Sequence, residues 1–419
     1  MWRTISGQPS IPRATLAGDL KSCRFQIEVI AVTRHLSAVW LLLLLGACRS
    51  DAPQHTQTNQ TIHRANIGAP TTLLAADGTP VEANSEYAMV APWGSAMLVD
   101  TEDRSVSVFD SLGRPMGNVG RRGDGPGEFR SIFGAFFLTR DTIAVFDPIR
   151  RRISFFAGRV AMPQTADVSQ WPPDYTMIIN IVGRFSDGRW VARTQSPRQD
   201  LRAGANLVVD SVWLVAGAPP AEPSRIFLLP LRTRVWLIDG ENRGLVDLAG
   251  VNNAVASVCD SGIVAVDTSG ILRTNRLGRV TSRTSLEPWL EALTPEQRQR
   301  SLERLDYRYP GGYTQAAARP LIDKLTRNVK HRLPPVFIAS DGMVWVRRGG
   351  KSYERVGLDG QADVTVRMTG NVVSFGSRHV ITRTIENATD LERFSVASLD
   401  TVPSSRDRPM GTCQPMFRW

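Results

Sequence analysis

Glycines, two arginines and two carboxylates crowd one short stretch, Gly120-Arg121-Arg122-Gly123-Asp124-Gly125-Pro126-Gly127-Glu128-Phe129. Charges of both signs on a glycine-rich loop can tie the loop to itself or line a mouth for a polar ligand. The glycines and Pro126 permit a tight path, Phe129 can insert between sheets, and Glu128 can accept freed backbone N–H groups. Arg121, Arg122, Asp124 and Glu128 are therefore the candidate binding residues, with a purely structural loop as the other reading. The embedded Arg122-Gly123-Asp124 tripeptide is short enough to arise by chance. A second set of carboxylates, Asp100, Asp147, Asp267 and Asp341, recurs at strand ends. Such a set either converges on a divalent cation or, far more commonly, forms turns. Of the five histidines, His35, His55 and His63 lie near the N-terminus and only His331 and His379 fall in the body. That leaves too few for a multi-histidine zinc site, and a histidine-based triad would have to use one of the two. There is no G-x-S-x-G, HExxH or Walker loop, so no catalytic residue, metal site or cofactor is assigned.

The N-terminus reads as an address. Arg34-His35 precede the apolar run Leu36 to Leu45, the length of a signal-peptide core and too short to span a bilayer. It ends Leu45-Gly46-Ala47-Cys48, which resembles the bacterial lipoprotein lipobox. The resemblance implies that the Cys48 thiol takes a diacylglycerol and that Cys48 becomes the mature N-terminus. A chance cysteine in an ordinary secretory signal is the plainer alternative. Some thirty residues precede this leader, more than such a leader ordinarily carries. The expected start is therefore near Val32, with residues 1–31 and Cys23 outside the natural product. Residues 49–66, rich in Gln, Thr and Asn, read as a tether.

Cys259 and Cys413 remain. An oxidising envelope compartment would allow them to pair, closing a loop worth about 4–5 kcal/mol in the chain-entropy model. A buried free Cys259 with an exposed Cys413 is the other reading. The net charge of +10 falls to +7 without residues 1–48 (45 basic against 38 acidic), and the arginines are spread along the chain. A diffuse basic surface of this kind argues against a nucleic-acid groove.

The elements that must hold these residues are strands. MLVDTEDRSVSVFDSLGRPMGNVG and DTIAVFDPIRRRISFFAGRV repeat one plan: a β-rich run ending in Asp, a charged turn, then a second alternating run. Repeated hairpins at this spacing predict an all-β chain, a six-bladed β-propeller over 67–402 with a tail at 403–419. The blades are expected at Glu86–Val119, Ile132–Met162, Thr176–Gly217, Val255–Ser285, Val336–Met368 and Asn371–Leu399, with 223–250, strand-like but without clear punctuation, as an elongated connection. One segment, 286–331, breaks the rhythm and predicts a helical insertion between the fourth and fifth blades. Thr294 as N-cap, Pro295 at the first helical position and Gln297 at the third mark a helix start. The insertion would cap one face or serve as a lid over a central pocket.

The G-x-x-G-x-G-P-G-E-F stretch at Gly120–Phe129 resembles the loop of the bacterial six-bladed β-propeller lipoproteins, an NHL-repeat-like family. The likeness runs from about Glu86 to Leu399, includes the Asp341-Gly342-x-x-Trp345-Val346 strand, and is weak over 219–253. It implies a six-bladed propeller and an envelope location, and little about activity. Related propellers include metal-dependent lactone hydrolases and lyases.

Together these features predict a non-catalytic, membrane-anchored envelope propeller, anchored through lipid on Cys48 and facing the periplasm or cell surface at the outer membrane. Its loops would bind a protein, peptide or carbohydrate ligand, with Trp190, Trp213, Trp236 and Trp345 as candidate aromatic contacts or as packing between blades. A metal-dependent lactonase-like or lyase-like enzyme is the alternative function.

Overall fold

The computed structural model describes residues 62–81, 87–158, 160–168, 178–195, 204–215, 224–239, 242–247, 254–258, 261–267, 269–292, 294–297, 299, 320, 331–386 and 391–400. Cys48, Cys259, Cys413, the leader, the C-terminal tail and most of the expected insertion lie outside these residues.

Six antiparallel sheets follow one another along the chain as the blades of a propeller. The first uses Tyr87–Val90, Ala96–Asp100, Ser105–Phe109 and Pro115–Val119, and the second Gly134–Phe137, Thr142–Asp147, Arg152–Ala157 and Val160–Asp167. The repeat seen in the sequence is a repeat in register. Val99 pairs with Val106 and Asp100 with Ser105, just as Phe146 pairs with Ile153 and Asp147 with Arg152. Alternation explains why these runs become strands, since one side of each packs against the preceding blade and the other against the next.

The third sheet is larger than expected. Ile178–Arg184, Trp190–Gln195 and Gly204–Val215 are joined by Ser224–Asp239 and Asn242–Asp247 to give five strands. The stretch expected as a connection is thus a fourth and fifth strand, paired from Leu214↔Ser224 through Asp239↔Asn242. The fourth sheet comprises Ala254–Val258, Gly262–Asp267, Gly270–Asn275 and Val280–Thr284. The fifth holds Val336–Ile338, Val344–Gly349, Ser352–Val356 and Ala362–Arg367, and the sixth Asn371–Phe375, His379–Glu386 and Leu391–Asp400.

The N-terminal segment closes the ring. His63–Arg64 lies parallel to the last strand of the fifth blade, and Asn66–Ile67 and Thr71–Thr72 pair antiparallel with Leu391–Asp400 to complete the sixth. Sheet therefore begins at His63, inside the stretch expected as tether. Joining the start of the chain to its last blade removes two exposed sheet edges at once.

Each of the six blade interfaces holds an apolar cluster of described residues. Met97, Val106, Phe129 and Val145 fill the first-to-second interface, Phe136, Ile153 and Trp190 the second-to-third, and Phe185, Val212 and Ile263 the third-to-fourth. Val266, Leu286 and Val344 occupy the next, Trp345, Val364 and Phe375 the fifth-to-sixth, and Leu73, Leu98 and Phe394 the closure. Trp190, Trp213 and Trp345 are buried. Trp345 stacks on Phe375 with ring centroids 4.6 Å apart, and the Trp213 indole N–H donates to Thr194 Oγ1 at 3.0 Å. These three tryptophans pack between blades, and the Trp236 side chain is outside the description.

Between the fourth and fifth blades, Leu286 and Trp289 are buried, and the Trp289 indole N–H donates to the Gly360 carbonyl at 3.1 Å. Glu291–Ala292 then pairs with His331–Arg332, and Glu291 forms an ion pair with Arg332. This ladder brings Glu291–Ala292 and His331–Arg332 side by side. Thr294 and Gln297 cap each other: Gln297 Oε1 accepts the Thr294 N–H at 2.9 Å, and Thr294 Oγ1 accepts the Gln297 N–H at 3.3 Å.

Candidate functional site

The arginine-rich loop connects the last strand of the first blade to the first strand of the second, so it lies on the face that also carries the turns between second and third strands. Its path is set by glycine and by Phe129. Gly120 has φ +80, and a Cβ there would stand 2.5 Å from the Phe129 ring. Phe129 is fully buried against Phe156, and its N–H donates to the Arg121 carbonyl at 2.8 Å. With the Gly123 N–H to Phe129 O bond at 3.1 Å, the loop closes as a small ring upon a buried anchor. Burying a phenylalanine contributes about 1.5–3 kcal/mol, enough to hold one conformation.

The charged residues lock that ring from within. Glu128 accepts the Gly125 N–H at 2.6 Å and the Arg121 Nε–H at 2.8 Å. A Cβ on Gly123 would lie 2.2 Å from Glu128 Oε2, so glycine makes room for the carboxylate. Asp124 receives Arg130 Nε at 2.6 Å and is also paired with Arg150. Arg150 donates to the Asp124 carbonyl at 2.6 Å and Arg152 to the Glu128 carbonyl at 2.8 Å. Hydrogen bonds from the Gly125 amide and the Arg121 guanidinium hold the Glu128 carboxyl below its ordinary range, and those from Arg130 and Arg150 do so more strongly at Asp124.

Of the four candidate residues, Asp124, Glu128 and, through its pair with Glu128, Arg121 are thus engaged in loop structure, which also occupies the acid of the Arg-Gly-Asp tripeptide. Arg121 and Arg122 remain at the surface, the Arg121 side chain at 79% exposure. Arg104 and Arg151 stand on neighbouring turns of the same face. Both adopt positive φ, +57 and +50, at the same position in the two repeated turns. Exposed Arg121, Arg122 and Arg151 share this face with exposed Glu102, Asp103 and Asp124, so the arginines form a basic stretch of a mixed-charge rim that can receive an acidic group. Arg130, Arg150 and Arg152 escaped the sequence reading. The Arg150-Arg151-Arg152 run after Asp147 was the available signal.

The strand-end aspartates serve turns. Asp100 Oδ1 accepts the Glu102 and Asp103 N–H groups at 2.9 and 2.8 Å, and Asp147 Oδ1 those of Ile149 and Arg150 at 3.0 and 3.1 Å. Asp267 Oδ1 takes the Ser269 N–H at 2.7 Å. Asp341 caps Met343 N–H at 3.1 Å, but in a turn between first and second strands, at the opposite end of its blade from the other three. The four carboxylates therefore do not meet. Among the described residues no three His, Cys, Asp or Glu side chains come together in a metal-binding group. Burial raises the Asp341 carboxyl above its ordinary range against the opposing pull of the Met343 N–H and Arg355. Burial and the neighbouring Arg378 lower His379.

No protein-family model matches the chain, and no curated protein does. Solved structures do match. A member of the DUF4221 family from Bacteroides vulgatus has a TM-score of 0.50 at 11% identity, covering 81% of this chain and 99% of that one. Regucalcin, a calcium-binding protein from Agrobacterium tumefaciens, has a TM-score of 0.41 at 12% identity, covering 81% and 96%. A gluconolactonase from Xanthomonas campestris has a TM-score of 0.39 at 12% identity, covering 81% and 99%. At these identities the likeness concerns the fold alone, and the chain is an all-β protein with the six-bladed propeller arrangement.

Proposed function

We propose that this protein is a lipid-anchored propeller of the bacterial envelope, of the NHL-like lipoprotein kind, that binds a ligand on its loop face without chemical turnover. The observation that carries this reading is the 120–130 loop. Its carboxylates, glycines and Phe129 are spent on fixing one shape, with Arg121 tied to Glu128 yet still exposed, and Arg122 stands exposed beside it at the surface. A preorganised basic rim suits an acidic carbohydrate or an acidic segment of a protein or peptide, because binding then costs little loop ordering.

Lipid on Cys48 would hold the rosette at a membrane, and Arg49 following that cysteine favours the outer membrane. The 286–331 segment, with its Thr294–Gln297 caps, is read as a helical insertion rising from the same loop face. Pairing of Cys259 with Cys413 fits the same compartment.

The test is elemental analysis with small-molecule mass spectrometry on the whole protein purified without chelator. A metal-free protein retaining an acidic compound is the expected result. A stoichiometric divalent metal would overturn the non-catalytic reading and put a lactonase-like or lyase-like enzyme in its place.

A further inference from the structure

We propose that the opposite face of the propeller, the one carrying the turns between third and fourth strands, rests on an anionic lipid surface. The observation is a recurrent turn that displays leucine. In the first blade the Asp110 N–H donates to Arg114 O and the Gly113 N–H to Asp110 O, both at 3.0 Å, while Asp110 Oδ1 accepts the Leu112 and Arg114 N–H groups at 2.9 Å each. In the fourth blade Asn275 repeats every bond. Its N–H donates to Arg279 O and the Gly278 N–H returns to its carbonyl, both at 2.9 Å, while its Oδ1 accepts Leu277 and Arg279 N–H at 2.9 and 3.0 Å. In the fifth blade the Gly357 N–H donates to Gln361 O at 2.8 Å and the Gly360 N–H to Gly357 O at 3.1 Å, with Leu358 at the tip one position earlier than Leu112 and Leu277 and Asp359 in their place.

These turns satisfy their own backbone, so nothing in their folding asks for leucine. Even so, Leu112, Leu277 and Leu358 are 58%, 56% and 49% exposed. Single exposed leucines need no explanation. Leucine at equivalent tips of several blades is different, because the propeller places those tips on one face. Met116 and Val280 extend the apolar surface just beyond two of them. Exposed Arg114, Arg276 and Arg279 flank the first- and fourth-blade tips, while exposed Asp359 lies at the fifth, and apolar tips with neighbouring cations are what an anionic bilayer interface receives.

The entry point of the chain chooses this occupant over others. His63 runs parallel to the last strand of the fifth blade and pairs with Val364, just past the Gly357–Gln361 turn. Exposed Ile62 therefore sits at the same face as the leucine tips. Cys48 precedes Ile62 by 14 residues, a reach of about 50 Å at most. The choice of a lipid surface rests on the proposed lipid at Cys48, and the orientation leaves the arginine rim facing away from the membrane, open to its ligand.

The test is amide hydrogen exchange on the whole chain, once on vesicles of phosphatidylcholine with phosphatidylglycerol and once dispersed in detergent. On vesicles, residues 110–114, 275–279 and 357–361 should exchange several-fold more slowly, as expected for amides shielded at an interface. The turns at 100–104 and 147–151 on the loop face should not change. The combined variant Leu112→Ser, Leu277→Ser, Leu358→Ser should lose the protection while keeping its melting temperature. Equal protection on both faces, none on either, or protection unchanged in the variant overturns the proposal. The mass of the N-terminal peptide reports lipid on Cys48 separately, so failure of the anchor and failure of the docking face give different results.

Discussion

Asp147 accepts the Arg130 N–H at 2.9 Å through one carboxylate oxygen while the other caps Ile149 and Arg150. A fully buried side chain thereby joins the repeated hairpin of the second blade to the arginine-rich loop that enters it. Asp100, its counterpart one blade earlier, caps only its own turn among the bonds described. The second blade has turned a common turn residue into a support for the candidate binding loop.

Replacing Asp147 by Ala should therefore leave three backbone N–H groups without their acceptor and cost about 1–3 kcal/mol for each that stays buried. Asp147→Asn should cost less, because its single amide oxygen can still serve one side. Urea unfolding of both variants against Asp100→Ala checks the ranking, with the Asp100 change the mildest.

Phe129→Ala should destabilise the protein by about 3–5 kcal/mol, as large aromatic-to-alanine changes in cores do. Gly120→Ala should act on the same contact from the other side by pushing a methyl into the ring. Both should loosen residues 120–130, read as faster hydrogen exchange there than in the fourth blade.

The buried Arg355–Asp363 pair, bidentate at 2.8 and 2.6 Å, gives a contrast between breaking and replacing. Asp363→Ala strands a buried guanidinium and should cost about 3–5 kcal/mol. Arg355→Met with Asp363→Leu should recover most of that loss, as measured by thermal melting of the single and double variants.

Two carboxylates should respond to pH in opposite ways. Asp341 has a raised folded pKa, so between its unfolded value near 4 and its folded value the native state holds more protons than the unfolded one. Stability therefore falls as pH rises through that window, and Asp341→Asn should melt higher than wild type at pH 7 and no higher at pH 3. Asp124 is depressed by Arg130 and Arg150. Its contribution is present above the unfolded value and is lost as pH falls through the folded one. Carbon-detected NMR titration of both carboxylates checks the two directions.

What could be read from the sequence was local. The Asp100 and Asp147 turns repeat within a few residues, and the Thr294–Gln297 caps lie three apart, so chemistry and spacing announce them together. The part played by Asp147 at Arg130 is seventeen residues long, and the Arg150 bond to Asp124 spans twenty-six. The antiparallel pairing of the second blade's first two strands, Gly134 opposite Phe146, brings those residues side by side. His63–Arg64 looked like tether because two-residue strands carry no periodicity, and their partners lie some three hundred residues away at the closure. The 224–247 stretch reads as strand-like, and its assignment to a connection rather than to two more strands of the third blade overlooks the Gly217-Ala218-Pro219-Pro220 and Asp239-Gly240 turn signals in the sequence. Asp341 opens an Asp-Gly turn before the second strand of its blade, whereas Asp100, Asp147 and Asp267 end a second strand, so an aspartate beside a strand did not mean the same place.

The central claim is that Arg121 and Arg122 receive an acidic ligand on a rim shaped by their own loop. Calorimetric titration of the whole protein with a panel of acidic and neutral oligosaccharides and peptides, beside Arg121→Ala/Arg122→Ala, tests it most directly. The account predicts binding of an acidic member, weakened about tenfold or more in the variant and by added salt. Preference for a neutral member, or acidic binding that the variant leaves unchanged, would contradict it.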